Sequence, residues 1–154
     1  MFDEEFRHIS RIIDKLNQET NANVTFLIDK NGQLIASAGD TSNIDSTSLA
    51  SLTAGNIAAT NGLANLLGEK EFSILFHEGE KDNIHISLIG QRVILVVVFD
   101  KRSSLGLVRL KVKRFSQELT TVFEQLAQKA QGKNLGTSTF EEITDSDIDR
   151  LFGE

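Results

Sequence analysis

The segment HEGEKDNIH puts His77, Glu78 and His85 within nine residues, close enough in sequence to raise the question of a metal ion. The spacing suits neither the i, i+4 pair of a helical zinc site nor a short zinc clamp, so no metal site is expected. The three histidines, His8, His77 and His85, are instead expected at the surface or at strand edges. Glycine and lysine meet at Gly62, Gly68, Glu69 and Lys70, but at the end of a helical stretch and without the G-x-x-x-x-G-K-[ST] order that wraps backbone N–H groups around a phosphate. The chain is not expected to bind a nucleotide by itself. No serine sits in a G-x-S-x-G elbow, and the absence of cysteine removes thiolate catalysis, disulfides and Cys-ligated zinc or iron–sulfur clusters. The expectation is a protein that is not an enzyme, with no catalytic residue and no cofactor of its own.

Charge points to surfaces instead. Lys101, Arg102, Arg109, Lys111, Lys113 and Arg114 fall in one stretch without an acid, a run that could meet phosphates. On a body lacking Tyr and Trp, a solvated helix face is the better explanation, and nucleic acid is not expected. Residues 141–154 are the opposite pole, with six acids and Arg150, so that they hold −5 of the net −6.

Between these poles lies TSLASLTAGNIAATNGLANLLG, Thr47 to Gly68, which carries no charge. Ala54, Ala58 and Gly62 recur at i, i+4, i+8, a smooth strip that another backbone could approach closely. Leu52, Ala59, Leu63 and Leu66 are expected on the flank that reaches the sheet. Glycine inside a helix costs about 1 kcal/mol relative to alanine, so this helix needs external support. Either the small residues pack it tightly on its own sheet, or they form a partner surface; two separate small-residue rows favour the second.

The elements that would hold this surface are legible from periodicity. Phe6, Ile9, Ile13 and Leu16 mark an amphipathic first helix. VTFLID and QLIASA read as strands joined by a type I′ turn at Asn31-Gly32. The run DTSNIDSTS offers N-caps for the middle helix, and Gly68 ends it. EFSILFH, NIHISLIG and RVILVVVFD follow as three strands, the last two joined by a II′ turn at Gly90-Gln91. Because VILVVVF is apolar on both faces, helices must cover both sides of the sheet. Leu105, Val108, Val112, Phe115, Leu119, Val122 and Leu126 then step by three and four along a last long helix. The fold class is α+β, an antiparallel sheet in the order α-β-β-α-β-β-β-α, the middle helix on one face and the terminal helices on the other.

Residues 1–130 form the domain, 131–139 a linker rich in Gly, Ser and Thr, and 140–154 an acidic amphipathic tail with Ile148, Leu151 and Phe152 at i, i+3, i+4. That tail helix is too short to be stable alone. It is expected to fold on a partner; the competing possibility is that it folds back on Lys101 to Arg114. The acidic N-terminus, Met1 to Glu5, is unlike a signal peptide, and no apolar run nears the roughly 18 residues that span a bilayer, so a cytoplasmic protein without a membrane partner is expected.

VTFLIDKNGQLIASAG, TSLASLTAGNIAATNGLANLLGE, RVILVVVFDKRSSLGLVRLKVK and EEITDSDIDRLFGE together resemble the bacterial Roadblock family, over nearly the whole chain. The resemblance implies a profilin-like, five-stranded antiparallel sheet and a homodimer whose middle helices lie side by side as a platform for a small Ras-like GTPase. Two copies of the chain would serve one GTPase and stimulate its GTP hydrolysis without an arginine finger, GTP and Mg remaining on the partner. Platform positions carried over here are Ala54, Ala58, Ala59 and Gly62; Ile148, Leu151 and Phe152 of the tail would also touch the GTPase and modulate nucleotide exchange. Leu52, Gly55, Phe72, Ile74 and Phe76 are the expected dimer contacts, an apolar strand beside a small-residue helix. Cell polarity and motility are the implied setting, with a cell pole as a candidate location. A Roadblock scaffold that binds without activating is the alternative. A small-molecule sensor, suggested by LIDKNGQLIAS, is a third possibility, for which the crowded strand 93–99 leaves little room.

Overall fold

Val93 to Phe99 is the chain's most continuous apolar run, and it becomes the middle strand of a five-stranded sheet with every residue buried. A residue apolar on both faces of a strand must have helices on both sides, and the alternation assigns each residue to one of them. Leu95, Val97 and Phe99 enter one core, while Ile94, Val96 and Val98 enter the other.

The computed structural model describes residues 3–90 and 92–133. The elements are α1 (Asp3–Thr20), β1 (Val24–Asp29), β2 (Leu34–Gly39), α2 (Ser46–Leu66), β3 (Ile74–Glu78), β4 (Asn83–Ile89), β5 (Val93–Phe99) and α3 (Leu105–Lys133). The strand order is β2-β1-β5-β4-β3, with every neighbouring pair antiparallel. This is the expected α-β-β-α-β-β-β-α architecture. Helix α3 takes in residues 131–133, the first three of the segment assigned to the linker. The tail positions Ile148, Leu151 and Phe152 lie outside the described residues.

Helices α1 and α3 share one face of the sheet. Ile9, Ile12, Ile13 and Leu16 meet Val108, Val112, Phe115, Leu119, Val122 and Leu126 over β-strand residues such as Leu27, Val97 and Phe99. Ile12 replaces Phe6 in the expected stripe, and Phe6 is largely exposed. Lys111 pairs with Glu19 at 3.0 Å and Lys129 with Glu5, which ties the two helices together at their margins. Pairs open to water contribute under about 1 kcal/mol each, so the apolar stripe dominates.

The first hairpin is built differently from the expected type I′ turn. That turn needs positive φ at two successive residues, yet Asn31 stays at negative φ and Gly32 alone in the connection is positive, at +92°. The Asp29 carboxylate decides this by accepting the N–H groups of Asn31 (2.9 Å) and Gln33 (3.0 Å), while the Gly32 N–H closes the turn on the Asp29 carbonyl. At the second hairpin Gly90 has φ +64°, but Ile89 pairs with Val93, leaving three residues between them where a II′ turn has two.

Both ends of α2 are fixed locally. Asp45 is the N-cap, its side chain accepting from the Ser48 N–H at 3.1 Å and its hydroxyl at 2.7 Å. At the other end Gly68, at φ +78°, sends its N–H to the Asn65 carbonyl and the Glu69 N–H returns to the Ala64 carbonyl, which is a Schellman motif.

Candidate protein-docking surface

The side of α2 that meets the sheet is lined by Ala50, Thr53, Ile57 and Ala64, all buried, over Val24, Phe26, Ile28, Ile86 and Val96. Small residues at this face let the helix backbone lie close to the strands. Leu52, Ala59, Leu63 and Leu66, expected against the sheet, are on the outside; the leucines are 74%, 59% and 83% exposed. The reason is that α2 is about as apolar on one side as on the other, so periodicity gives a stripe without a direction. Volume settles it: alanine, threonine, a single buried isoleucine and, in the first turn, the half-buried Leu49 fit the gap above the sheet, and a row of leucines along the whole helix does not.

The outward surface therefore combines both rows. Gly55, Ala58, Ala59 and Gly62 are exposed, with Leu52, Leu63 and Leu66 along their flank. A Cβ added at Gly55 or Gly62 would meet no atom within 4 Å, so their smallness serves nothing inside the described chain. Ala54 differs from them. It is half-buried, and a Cβ added at Gly32 would come within 3.6 Å of the Ala54 Cβ and 3.2 Å of the Ser51 Cα. The tip of the first hairpin thus packs on α2, and packing within the chain explains Ala54. No charged residue lies between Asp45 and Glu69, so a partner would desolvate only apolar and weakly polar groups here.

The edge of the sheet beside this surface is β3, with one side paired to β4 and the other unpaired among the described residues. Asn56 of α2 reaches His77 of β3 at 3.3 Å, which places His77 under the helix. Alternation then sends Ile74 and Phe76 to the opposite face, where Ile74 is exposed and Phe76 stacks on Phe99 at 6.2 Å between ring centroids. Phe72 lies before the strand and is half-buried. The five expected dimer contacts are thus divided, Leu52 and Gly55 on the outer face of α2, Phe72 ahead of β3, Ile74 at the sheet edge, and Phe76 packed against its own core.

The fold is shared with known proteins. Residues 9–99 match the Roadblock/LC7 domain model. The chain belongs to the Roadblock/LC7 family. Among solved Roadblock structures it is similar to Myxococcus xanthus MglB, with 60% identity over 77% of this chain and 96% of that one and a TM-score of 0.75. The gliding protein MglB of Thermus thermophilus is 34% identical over 79% and 92% of the two chains, TM-score 0.74. A Roadblock/LC7 domain of Streptomyces avermitilis, 12% identical over 75% and 97%, has a TM-score of 0.68 and shares the fold. Among curated protein sequences there is no match. The Roadblock assignment agrees with the helix and strand order above.

The Roadblock fold also corrects the placement of one histidine. His85, expected at the surface, is 1% exposed, on the face of β4 that α3 covers, and neither ring nitrogen has a hydrogen-bond partner among the described residues. Ser87, two residues along the same face, has its hydroxyl buried and unpartnered as well. Desolvation, with a smaller contribution from the Arg109 charge, pushes the His85 pKa below the ordinary 6.5. A buried neutral imidazole makes the unfolded state bind more protons than the folded one once pH falls below about 6.5. Stability is therefore expected to decline with acidification from that pH, by at most about 1.4 kcal/mol per pH unit, until the folded protein also protonates. Urea melts between pH 7.5 and 5.5 check this: His85→Leu should flatten the slope, and an unchanged slope refutes the assignment. Among the described residues no group of three or more His, Asp or Glu could hold a metal ion, and no helix is long and apolar enough to cross a membrane.

Proposed function

We propose that two copies of this chain bind one small Ras-like GTPase and stimulate its GTP hydrolysis, with the docking surface formed by the outer face of α2. The observation that carries this is a charge-free helix face on which Gly55 and Gly62 meet nothing within the described chain and Ala58 and Ala59 are exposed, on a protein 60% identical to Myxococcus xanthus MglB. Ala58, Ala59 and Gly62 are the close-approach positions, with Leu52 and Gly55 beside them toward the second copy. Cell polarity and motility are the proposed setting.

The chemistry of hydrolysis belongs to the GTPase, which holds GTP and Mg. Clamping its switch segments in one arrangement shifts its population toward the state in which its own side chains face the γ-phosphate. Support for a mechanism without an arginine finger comes from where the arginines lie. Arg7 and Arg11 belong to α1, Arg109 and Arg114 to α3, all on the layer opposite α2, and Arg102 is held by Asp100 and Asn23; of the described arginines Arg92 alone lies in the β4–β5 connection beside the first hairpin, where its carbonyl accepts from the Lys30 N–H. Asp100 in turn sits near a pKa of about 2, chiefly through its bond to the Arg102 side chain. The tail positions Ile148, Leu151 and Phe152 would add a second contact that modulates nucleotide exchange.

The test is a single-turnover hydrolysis assay with the cognate GTPase, run on the wild type and on alanine variants of each arginine, Arg92 included. Stimulation is expected to persist within about tenfold in every variant, whereas loss of a finger costs on the order of 10³-fold or more. One substitution with that cost and intact binding overturns the mechanism. Binding without any stimulation would make the protein a scaffold.

A further inference from the structure

We propose that, in the protein free of any partner, the acidic segment 141–154 docks on the outer face of the N-terminal part of α3. That face consists of Gly106, Arg109, Leu110, Lys113, Arg114 and Gln117, opposite the buried stripe of Val108, Val112 and Phe115. Leu110 is 63% exposed, an unusual position for leucine in the middle of a basic run. A Cβ at Gly106, one turn before it, would meet nothing within 4 Å, so the surface beside Leu110 is open.

Two of the three basic groups around that leucine are uncommitted, the third, Arg114, lying over the Phe115 ring. Lys111 points aside to Glu19 and Arg102 is taken by Asp100, but Arg109 and Lys113 form no ion pair with any described residue. The acids nearest this face on α3 are Glu118, one turn beyond Arg114 at its edge, and Glu124 beyond Gln117. A lone apolar side chain among three cations is complementary to a segment carrying Ile148, Leu151 and Phe152 at i, i+3, i+4 among Glu141, Glu142, Asp145, Asp147 and Asp149.

Reach permits the contact within one chain. From Lys133 back to Leu110 along α3 is 23 residues, about 35 Å at 1.5 Å per residue. The seven residues 134–140 span up to about 23–25 Å when extended, and the seven residues from Glu141 to Asp147, running back along α3 at about 1.5 Å or more each, cover the remaining 10 Å or so to bring Ile148 to Leu110. Tethering keeps the acidic segment at a high effective concentration over this surface, so a modest attraction is sufficient. The attraction is electrostatic in large part and is weakened as the Debye length falls from about 10 Å at 0.1 M salt to about 3 Å at 1 M. Because α3 lies on the layer opposite α2, the docked segment leaves the proposed GTPase surface open. The inference does not depend on that function.

A chain without cysteine allows a single spin label to be placed by Ser146→Cys in the full-length protein. At 50 mM NaCl the amide signals of residues 106–117 are expected to lose more than half their intensity relative to the reduced label. At 1 M NaCl, or after Arg109→Glu with Lys113→Glu, they should recover. Attenuation centred on α2, attenuation spread evenly over the surface, none at all, or persistence in the charge-reversed variant would each overturn the proposal. Circular dichroism of that variant confirms that it is folded, since both positions are exposed.

Discussion

Ala58→Arg combined with Gly62→Arg is expected to lower affinity for the GTPase by at least about 100-fold, roughly 3 kcal/mol, and to abolish stimulation with it. Both positions are exposed on the outer face of α2, and a Cβ at Gly62 meets nothing within 4 Å. Two guanidinium groups there would fill the space into which a second backbone must come and would place charge in an otherwise charge-free contact. The fold should not suffer. Replacing an exposed helical glycine by arginine raises helix propensity by up to about 1 kcal/mol, so the melting temperature should stay level or rise. Ala50→Arg and Ala64→Arg, on the same helix but fully buried, should by contrast unfold the protein. Calorimetry, sedimentation and the hydrolysis assay on the same samples separate the outcomes. A folded double variant that still activates removes α2 as the docking surface, and an unfolded one shows that the strip is core.

The second large effect is thermodynamic. Phe99→Ala is expected to cost about 3–5 kcal/mol, because the ring is buried in the α1/α3 core and stacks on Phe76. The neighbours that would have to close the void are themselves held in place: Val97 by its strand, Phe115 and Val112 by α3. For a domain of this size such a loss lowers the melting temperature by about 10–20 °C. Leu34→Ala, at an exposed position on the outermost strand, should stay within about 1 kcal/mol. Equal losses at the two sites in urea melts would contradict the assignment of the core.

Much of this molecule is written in short-range pattern. The seven apolar residues 93–99 demand a strand covered on both faces, and the step of three and four from Leu105 to Leu126 demands a helix with one buried stripe; both are as the structure has them. Glycine at 68 and aspartate at 45 bound α2 for reasons contained within a few residues, the positive φ and the cap. Periodicity, turn composition and caps therefore determined the element order and the layers. Tertiary contact decided three matters that no local window contains. The face of α2 turned to the sheet depends on how much volume fits between helix and strands, and it put small residues inward and leucines outward. The form of the first hairpin depends on the Asp29 carboxylate, which captures two N–H groups and overrides what Asn-Gly alone would do. The burial of His85 depends on α3, a helix beginning twenty residues later in the chain, lying across β4. In each case the deciding interaction is a steric or hydrogen-bonding fit between groups whose meeting only the folded chain arranges.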